Sequence, residues 1–282
     1  MNMRSLFCVT ASVVGMSVGA QADLIGEINF DAPAGTTTID LDGGLNGGNG
    51  LPVGQGGTGF RNDVATGTVT NGGLEFGDLV TTGNAWNVTG QSGQWQVYRG
   101  LGVGDPFLSL RNGGASAPFG AEGETIWFSA LFNVSDDSGN RRIQQVVDGS
   151  NTNSLQIGVI NGNWGIQGAN SVIGDSGIDA VAGETTLLVW SQTYDFDGGP
   201  GSIAELWVNP DVNALTPGTA DAVVNGQPVN PWQGFRFRDN SYTIDELRFG
   251  ETFADVTPVP EPGTLALAGL GGLMFLRRQR SA

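Results

Sequence analysis

Apolar and polar residues alternate with a period of two along much of the chain between Asp23 and Val256. Thr125 to Asn133 reads TIWFSALFN and places Ile126, Phe128, Ala130 and Phe132 on one side. Successive side chains of a strand point to opposite faces, so this run predicts a β-strand with a buried face. Trp127 and Leu131 on the other side predict a central strand covered on both faces. Ser154 to Ile160 alternates more cleanly, with Leu155, Ile157 and Val159 inward and Gln156 and Gly158 outward. Asn161-Gly162-Asn163 reads as a tight turn, and Trp164 to Gln167 as the returning arm of a hairpin. Residues 185–194, 203–208 and 242–249 read as further strands. No body segment sustains a 3.6-residue apolar period, and no internal repeat is evident. Glycine supplies 47 of 282 residues, far above the usual share of about 7%. Runs such as Gly43-Gly44-Leu45-Asn46-Gly47-Gly48-Asn49-Gly50 read as loops. Many strands joined by glycine-rich turns predict an all-β fold, an antiparallel sandwich or jelly roll over residues 23–256.

The two ends depart from this pattern. Met1 to Arg4 carries one positive charge, Ser5 to Ala20 is uncharged and mostly small or apolar, and Ala20-Gln21-Ala22 follows. Positive, apolar, then small-x-small is the layout of a cleavable secretory signal over residues 1–22. At the other end, Gly263 to Leu276 is uncharged over 14 residues. As a helix it would reach about 21 Å, short of the roughly 30 Å hydrocarbon core. Arg277, Arg278 and Arg280 close it and would stay cytoplasmic. A marginal span of this kind suits a temporary anchor better than a permanent one.

Composition restricts the chemistry. The formal net charge is −16, and the 12 basic residues are all arginine. Arg4 and the three tail arginines lie in the end segments, so the body is more acidic still. Such a surface argues against nucleic acid or anionic membrane as partners. The single cysteine, Cys8, falls in the signal segment, which leaves the exported chain without disulfide or thiol chemistry. With no histidine and no lysine, Ser-His-Asp triads, imidazole-ligated zinc and Schiff bases are excluded. Carboxylates, hydroxyls, arginine and aromatics remain.

A retaining glycosidase needs two carboxylates about 5 Å apart. On a strand this requires acids two or four positions apart. Glu122 and Glu124 flank Gly123 in an apparent turn, and Asp245 and Glu246 are adjacent, which predicts opposite faces. The sequence therefore favours a protein that is not an enzyme. Sugar binding is a second reading, since sugars stack on aromatic rings. In the strand IAELWV, Glu205 and Trp207 share the face opposite Ala204, Leu206 and Val208. Trp207 is either a ligand platform or a packed side chain, and the usual role of large aromatics favours packing. Trp86 and Trp232 sit in polar or proline-bounded contexts and are expected to be more exposed. Calcium is the candidate cofactor: Asp195-Phe196-Asp197-Gly198-Gly199 and Asp136-Asp137-Ser138-Gly139-Asn140 place oxygen ligands in turns. Neither completes an EF-hand loop, and solvated turns use the same residues. Asn87-Val88-Thr89 and Asn133-Val134-Ser135 match glycosylation sequons.

Two resemblances add to this reading. Pro260-Glu261-Pro262, an apolar stretch and then the arginine cluster resemble the PEP-CTERM sorting signal, here residues 257–282. The resemblance implies a Gram-negative-type envelope, signal peptidase and exosortase as processing partners, and passage through the inner membrane to the cell surface or exterior. In such an envelope the sequons read as chance. Proteins with this signal are often associated with exopolysaccharide. The body resembles the concanavalin A-like (laminin G-like) jelly rolls. The residues that carry this likeness are Ile28-Asn29-Phe30-Asp31, Ala204-Glu205-Leu206-Trp207-Val208-Asn209-Pro210 and Tyr242-Thr243-Ile244-Asp245-Glu246-Leu247-Arg248-Phe249. Glucanases of that fold carry a Glu-x-Asp-x-x-Glu type run, which is absent here. The expectation is a non-catalytic surface or matrix protein in contact with exopolysaccharide; the alternatives are a specific lectin and an atypical glycoside hydrolase.

Overall fold

Two antiparallel sheets carry the apolar alternation. The computed structural model describes residues 24–28, 30, 34–35, 60–61, 67–90, 95–97, 120–136, 139–146, 153–168, 171–195, 202–225, 232, 234–239 and 241–259. The first sheet runs in the order β13 (Ala222–Asn225), β12 (Ile203–Val208), β11 (Thr185–Thr193), β6 (Thr125–Val134), β15 (Tyr242–Gly250), β4 (Asn84–Val88) and β3 (Gly67–Asn71). β1 (Leu24–Ile28) also pairs with β15. The second sheet runs β10 (Ile173–Asp179), β9 (Asn163–Gly168), β8 (Asn153–Ile160), β7 (Arg141–Val146), β14 (Gly234–Arg238), β5 (Trp95–Val97) and β2 (Phe60–Arg61). The fold is an all-β sandwich, as the alternation predicts.

The main core lies between the sheets. Ile126, Phe128, Ala130 and Phe132 of β6 meet Ile143, Leu155, Ile157, Trp164, Ile166 and Phe235 of the second sheet within one buried cluster. β6 is central, between β11 and β15. Its outer residue Leu131 joins a second buried cluster with Leu187, Val189, Trp207, Val212, Phe253 and Val256. Trp127 packs against that cluster. Both faces of this strand are therefore covered. Part of the outer cover is α1 (Phe253–Val256), a single helical turn closed by a capping box between Thr252 and Asp255.

The β8–β9 hairpin forms where Asn161-Gly162 predicts it. Both residues have positive φ, 57° and 94°, as a two-residue primed turn demands. Ile160 pairs with Asn163, so Asn163 belongs to the strand rather than the turn. Gly158 is required for a different reason. Its φ is +138°, and a Cβ there would lie 2.1 Å from the Arg141 carbonyl oxygen. Only glycine lets β8 approach β7 this closely.

One polar network crosses the core. Gln192 donates from its amide to the Gln145 side-chain oxygen, and the Tyr194 hydroxyl donates to Gln192 Oε1. It ties the first sheet to the second with directional bonds, which apolar packing alone does not supply. Burial pushes the Tyr194 hydroxyl well above the usual tyrosine range, so it stays a donor.

Candidate functional site

The tryptophans do not form a surface platform. Trp86 and Trp232 are fully buried, both in the core between the sheets. The expectation that they are exposed is corrected. Phe30 stacks on Trp86 at 6.4 Å, and Phe235 lies 4.9 Å from Trp232. Asn87, the polar neighbour of Trp86 in β4, faces away from the core, and local polarity does not report which way a ring points. Trp207 is 4% exposed. It stacks on Trp127 at 5.1 Å, and its Nε1 donates to the Gly218 carbonyl at 3.1 Å. The ring is packed under the 209–221 segment, with Glu205 beside it only half-buried. Trp207 thus closes the outer face of the first sheet.

Of the candidate calcium ligands, Asp136 accepts from Arg141 Nη2 at 2.7 Å. Asp195 is half-buried, and its N–H donates to Ser202 Oγ. Asp137 and Asp197 lie outside the described residues. Among the described residues no three acids are gathered as a metal site would need. The two sequons come together: Asn87 and Asn133 both pair with Thr243 of β15. They border a polar cleft of about 370 Å³. Asn133 donates to the Gly183 carbonyl and Ser135 to the Ser241 carbonyl, so part of the cleft's lining is committed within the chain.

The carboxylates Asp245 and Glu246 depart from strict alternation. A bulge in β15 shifts its register against β6 between Asp245 and Arg248, and Glu246 has φ of +50°. Both carboxyls consequently reach the same covering segment, correcting the expectation of opposite faces. Asp245 Oδ2 accepts from the Leu74 N–H at 2.8 Å. Glu246 Oε1 accepts from the Thr82 N–H and hydroxyl. Arg248, 2% exposed, donates to Glu246 at 2.6 Å, to Glu27 at 2.7 Å and to the Val80 carbonyl at 2.6 Å. These charges pin residues 72–82 onto the first sheet.

Burial pushes the Glu246 carboxyl up to about 7, against the pull of Arg248. The folded state thus keeps a proton that the unfolded chain releases near 4.5. The stabilisation from this proton is complete below about 4.5 and is lost as pH rises through about 7. Glu246→Gln removes the titration. Between pH 4 and pH 8 the stability of this variant relative to wild type is expected to improve by on the order of 3 kcal/mol. Urea unfolding of both proteins across that range measures it; a pH-independent difference would contradict the assignment.

The outer face of the second sheet is built differently. Ile143, Leu155, Ile157, Ile166, Phe235 and Phe237 point into the core, so the alternate residues of β7, β8, β9 and β14 point outward. In register, Arg236 stands opposite Gln144, Gln144 opposite Gln156, and Gln156 opposite Gln167. The next row sets Arg238 opposite Arg142, with Gly158 and Gly165 beyond them. Gln156 is 6% exposed, and its Oε1 has no hydrogen-bond partner among the described residues. A buried carbonyl left without a donor costs about 1–3 kcal/mol, and Gln144 beside it is 1% exposed. Arg142 is held at 3.0 Å by Asp239. This row escaped the sequence reading, though Gln156 was placed on the outward side. Its members come from strands up to 92 residues apart in the chain, from Gln144 to Arg236.

Residues 258–281 match the family model of the PEP-CTERM protein-sorting motif. The chain carries this motif, which implies processing by an exosortase and indicates export to the cell surface or exterior. Pro260, Glu261, Pro262, Arg277, Arg278 and Arg280 lie outside the described residues. Among the described residues no helix is long and apolar enough to cross a membrane. No curated protein matches the sequence. Among solved structures, the chain is similar to domain 4 of an extracellular arabinanase from Geobacillus stearothermophilus, solved with arabinotriose. The identity is 18% over 84% of this chain and 98% of that one, with a TM-score of 0.43. It is also similar to an endo-β-1,4-glucuronan lyase from the fungus Trichoderma reesei, at 14% identity over 79% and 98% of the chains and a TM-score of 0.38. A sialidase from Trypanosoma rangeli gives 10% identity over 83% of this chain and 31% of that one, with a TM-score of 0.42. These likenesses concern architecture alone.

Proposed function

We propose that this exported protein is a surface or matrix component that holds polysaccharide on the outer face of its second sheet and does not cleave it. The N-terminal segment directs export and is removed. The apolar tail holds the chain in the inner membrane until an exosortase cuts near Pro260-Glu261-Pro262. The observation that carries the binding role is the in-register row Arg236, Gln144, Gln156 and Gln167, with the Gln156 carbonyl buried and unsatisfied. Glutamine offers both donors and an acceptor, which suits sugar hydroxyls. Strand spacing of about 4.8 Å sets successive glutamines at a distance comparable to one pyranose along an extended polymer. The non-catalytic reading is supported by the carboxylates of β15. Asp245 and Glu246 are engaged with residues 72–82 and Arg248, beneath that covering segment. A lectin platform on Trp207 has less support, because that ring is packed.

The test is equilibrium binding of the processed protein, purified from its host, to a panel of neutral and acidic polysaccharides, with reducing ends measured in parallel. Saturable binding without new reducing ends is expected. Gln156→Leu, which keeps the volume but removes the amide, is expected to weaken binding about tenfold. Release of reducing ends would make the protein an enzyme, and absence of binding to every polymer would remove the contact face.

A further inference from the structure

The sequons Asn87-Val88-Thr89 and Asn133-Val134-Ser135 meet on the first sheet, and we infer that they form the two walls of a binding site for a short, neutral saccharide. This site is separate from the contact face of the second sheet and does not rest on it. β4 and β6 both lie against β15, with Val88 and Val134 each opposite Tyr242. Those three side chains are in the core between the sheets, so the residues on either side of them point outward. Asn87, Thr243 and Asn133 make one outward row in register. Thr89, Ser241 and Ser135 follow on the other side of the core residues, joined through the Ser241 N–H to the Val88 carbonyl and the Ser135 N–H to the Ser241 carbonyl. All six are half-buried or exposed, and all line the cleft of about 370 Å³.

Each of these outward side chains is a neutral hydrogen-bonding group. Among the described residues no charged side chain lines the cleft, in a chain of net charge −16. Strand formation does not account for the choice, because asparagine is depleted in strands. Two positions before Asn133 the same face of β6 carries Leu131, which lies under an apolar cover; at the cleft the cover is gone and the row turns polar. Among the described residues, Asn87 and Thr243 make no side-chain hydrogen bond. Asn133 uses Nδ2 on the Gly183 carbonyl at 3.0 Å, which leaves its Oδ1 to accept. An asparagine amide and a threonine hydroxyl each both donate and accept, as sugar hydroxyls do. From β4 to β6 is two strand spacings, about 10 Å, a reach comparable to a disaccharide. An acidic polymer would meet the field of the protein's net negative charge, and a neutral one does not.

The experiment titrates the processed protein with cellotetraose, xylotetraose, maltotetraose and tetragalacturonate by calorimetry. At least one neutral probe is expected to bind saturably, with affinity unchanged as salt rises from about 0.05 to 0.5 M, and the acidic probe at least about tenfold more weakly. Asn87→Ala and Thr243→Val are each expected to weaken the neutral binding about tenfold, while Gln156→Leu on the other sheet leaves it unchanged. Matched thermal unfolding shows that each variant is folded. Intact mass of the processed protein is expected to show both asparagines unmodified; a glycan on either would fill the cleft and overturn the site. Failure of every neutral probe, or binding weakened by Gln156→Leu and not by Asn87→Ala, would also overturn it. Equal binding of tetragalacturonate would overturn the neutral class. Tetrasaccharide binding lost only in Asn87→Ala and Thr243→Val, in a protein that holds no polymer through Gln156, would remove the second-sheet face and leave this site in place.

Discussion

Replacing Arg248 with methionine is expected to destabilise the protein by about 3–5 kcal/mol at pH 8, the loss typical when one partner of a buried ion pair is removed. The guanidinium satisfies Glu246, Glu27 and the Val80 carbonyl together. Without it, Glu246 at 1% exposure would hold a buried charge with only Thr82 to stabilise it. The carboxyl escapes by taking up a proton, so its pKa should rise beyond about 7. The penalty is therefore expected to shrink at pH 5, where Glu246 is already neutral in both proteins. Adding Glu246→Gln to Arg248→Met should recover part of the loss at pH 8, because the stranded charge is gone. Urea unfolding at the two pH values measures each term. A penalty below about 1 kcal/mol that did not change with pH would mean that the cluster behaves as a surface pair.

Phe128→Ala is expected to cost about 3–5 kcal/mol, the range for emptying a large aromatic site in a core. Phe128 lies at the centre of the aromatic core. It stacks on Trp190 at 5.2 Å with the rings 5° from parallel, meets Trp232 edge-on at 5.2 Å, and contacts Phe235 and Phe249 at 6.1 Å each. The cavity would open on rings contributed by both sheets, which cannot collapse without moving a strand. Chemical denaturation gives the loss, and the near-ultraviolet signal of Trp190 and Trp232 should change with it. Phe128→Leu, which fills more of the space, should cost less and keeps the comparison measurable if the alanine variant fails to fold. Trp127→Ala, one position away on the outer side and half-buried, should cost less than Phe128→Ala. A reversed order would contradict the assignment of the two faces of β6.

Much of the architecture is legible because strand alternation is local. The apolar positions of TIWFSALFN name the inward face of β6 without reference to any neighbour, and Asn161-Gly162 names the hairpin because few other residue pairs accept two left-handed conformations in succession. The sorting motif is legible for a similar reason: an order of residue types along the chain is all that it requires. Glu246 shows where locality stops. Alternation alone would send Asp245 and Glu246 to opposite faces, and the bulge that overrides it places one residue out of register beneath a segment more than 160 positions earlier, through Thr82.

The sequence by itself determined the all-β class, the inward faces of the long strands, the exclusion of imidazole and lysine chemistry, and the address at the C-terminus. These depend on residue type and on spacings of a few positions. Only the tertiary structure decided that Trp86 and Trp232 belong to the core, that Trp207 is packed, and that β9, β8, β7 and β14 lie side by side with Gln167, Gln156, Gln144 and Arg236 in one row. A period of two says which residues share a face of one strand. Which strands become neighbours, and what covers their outer faces, is set by pairings between distant segments that no local pattern encodes.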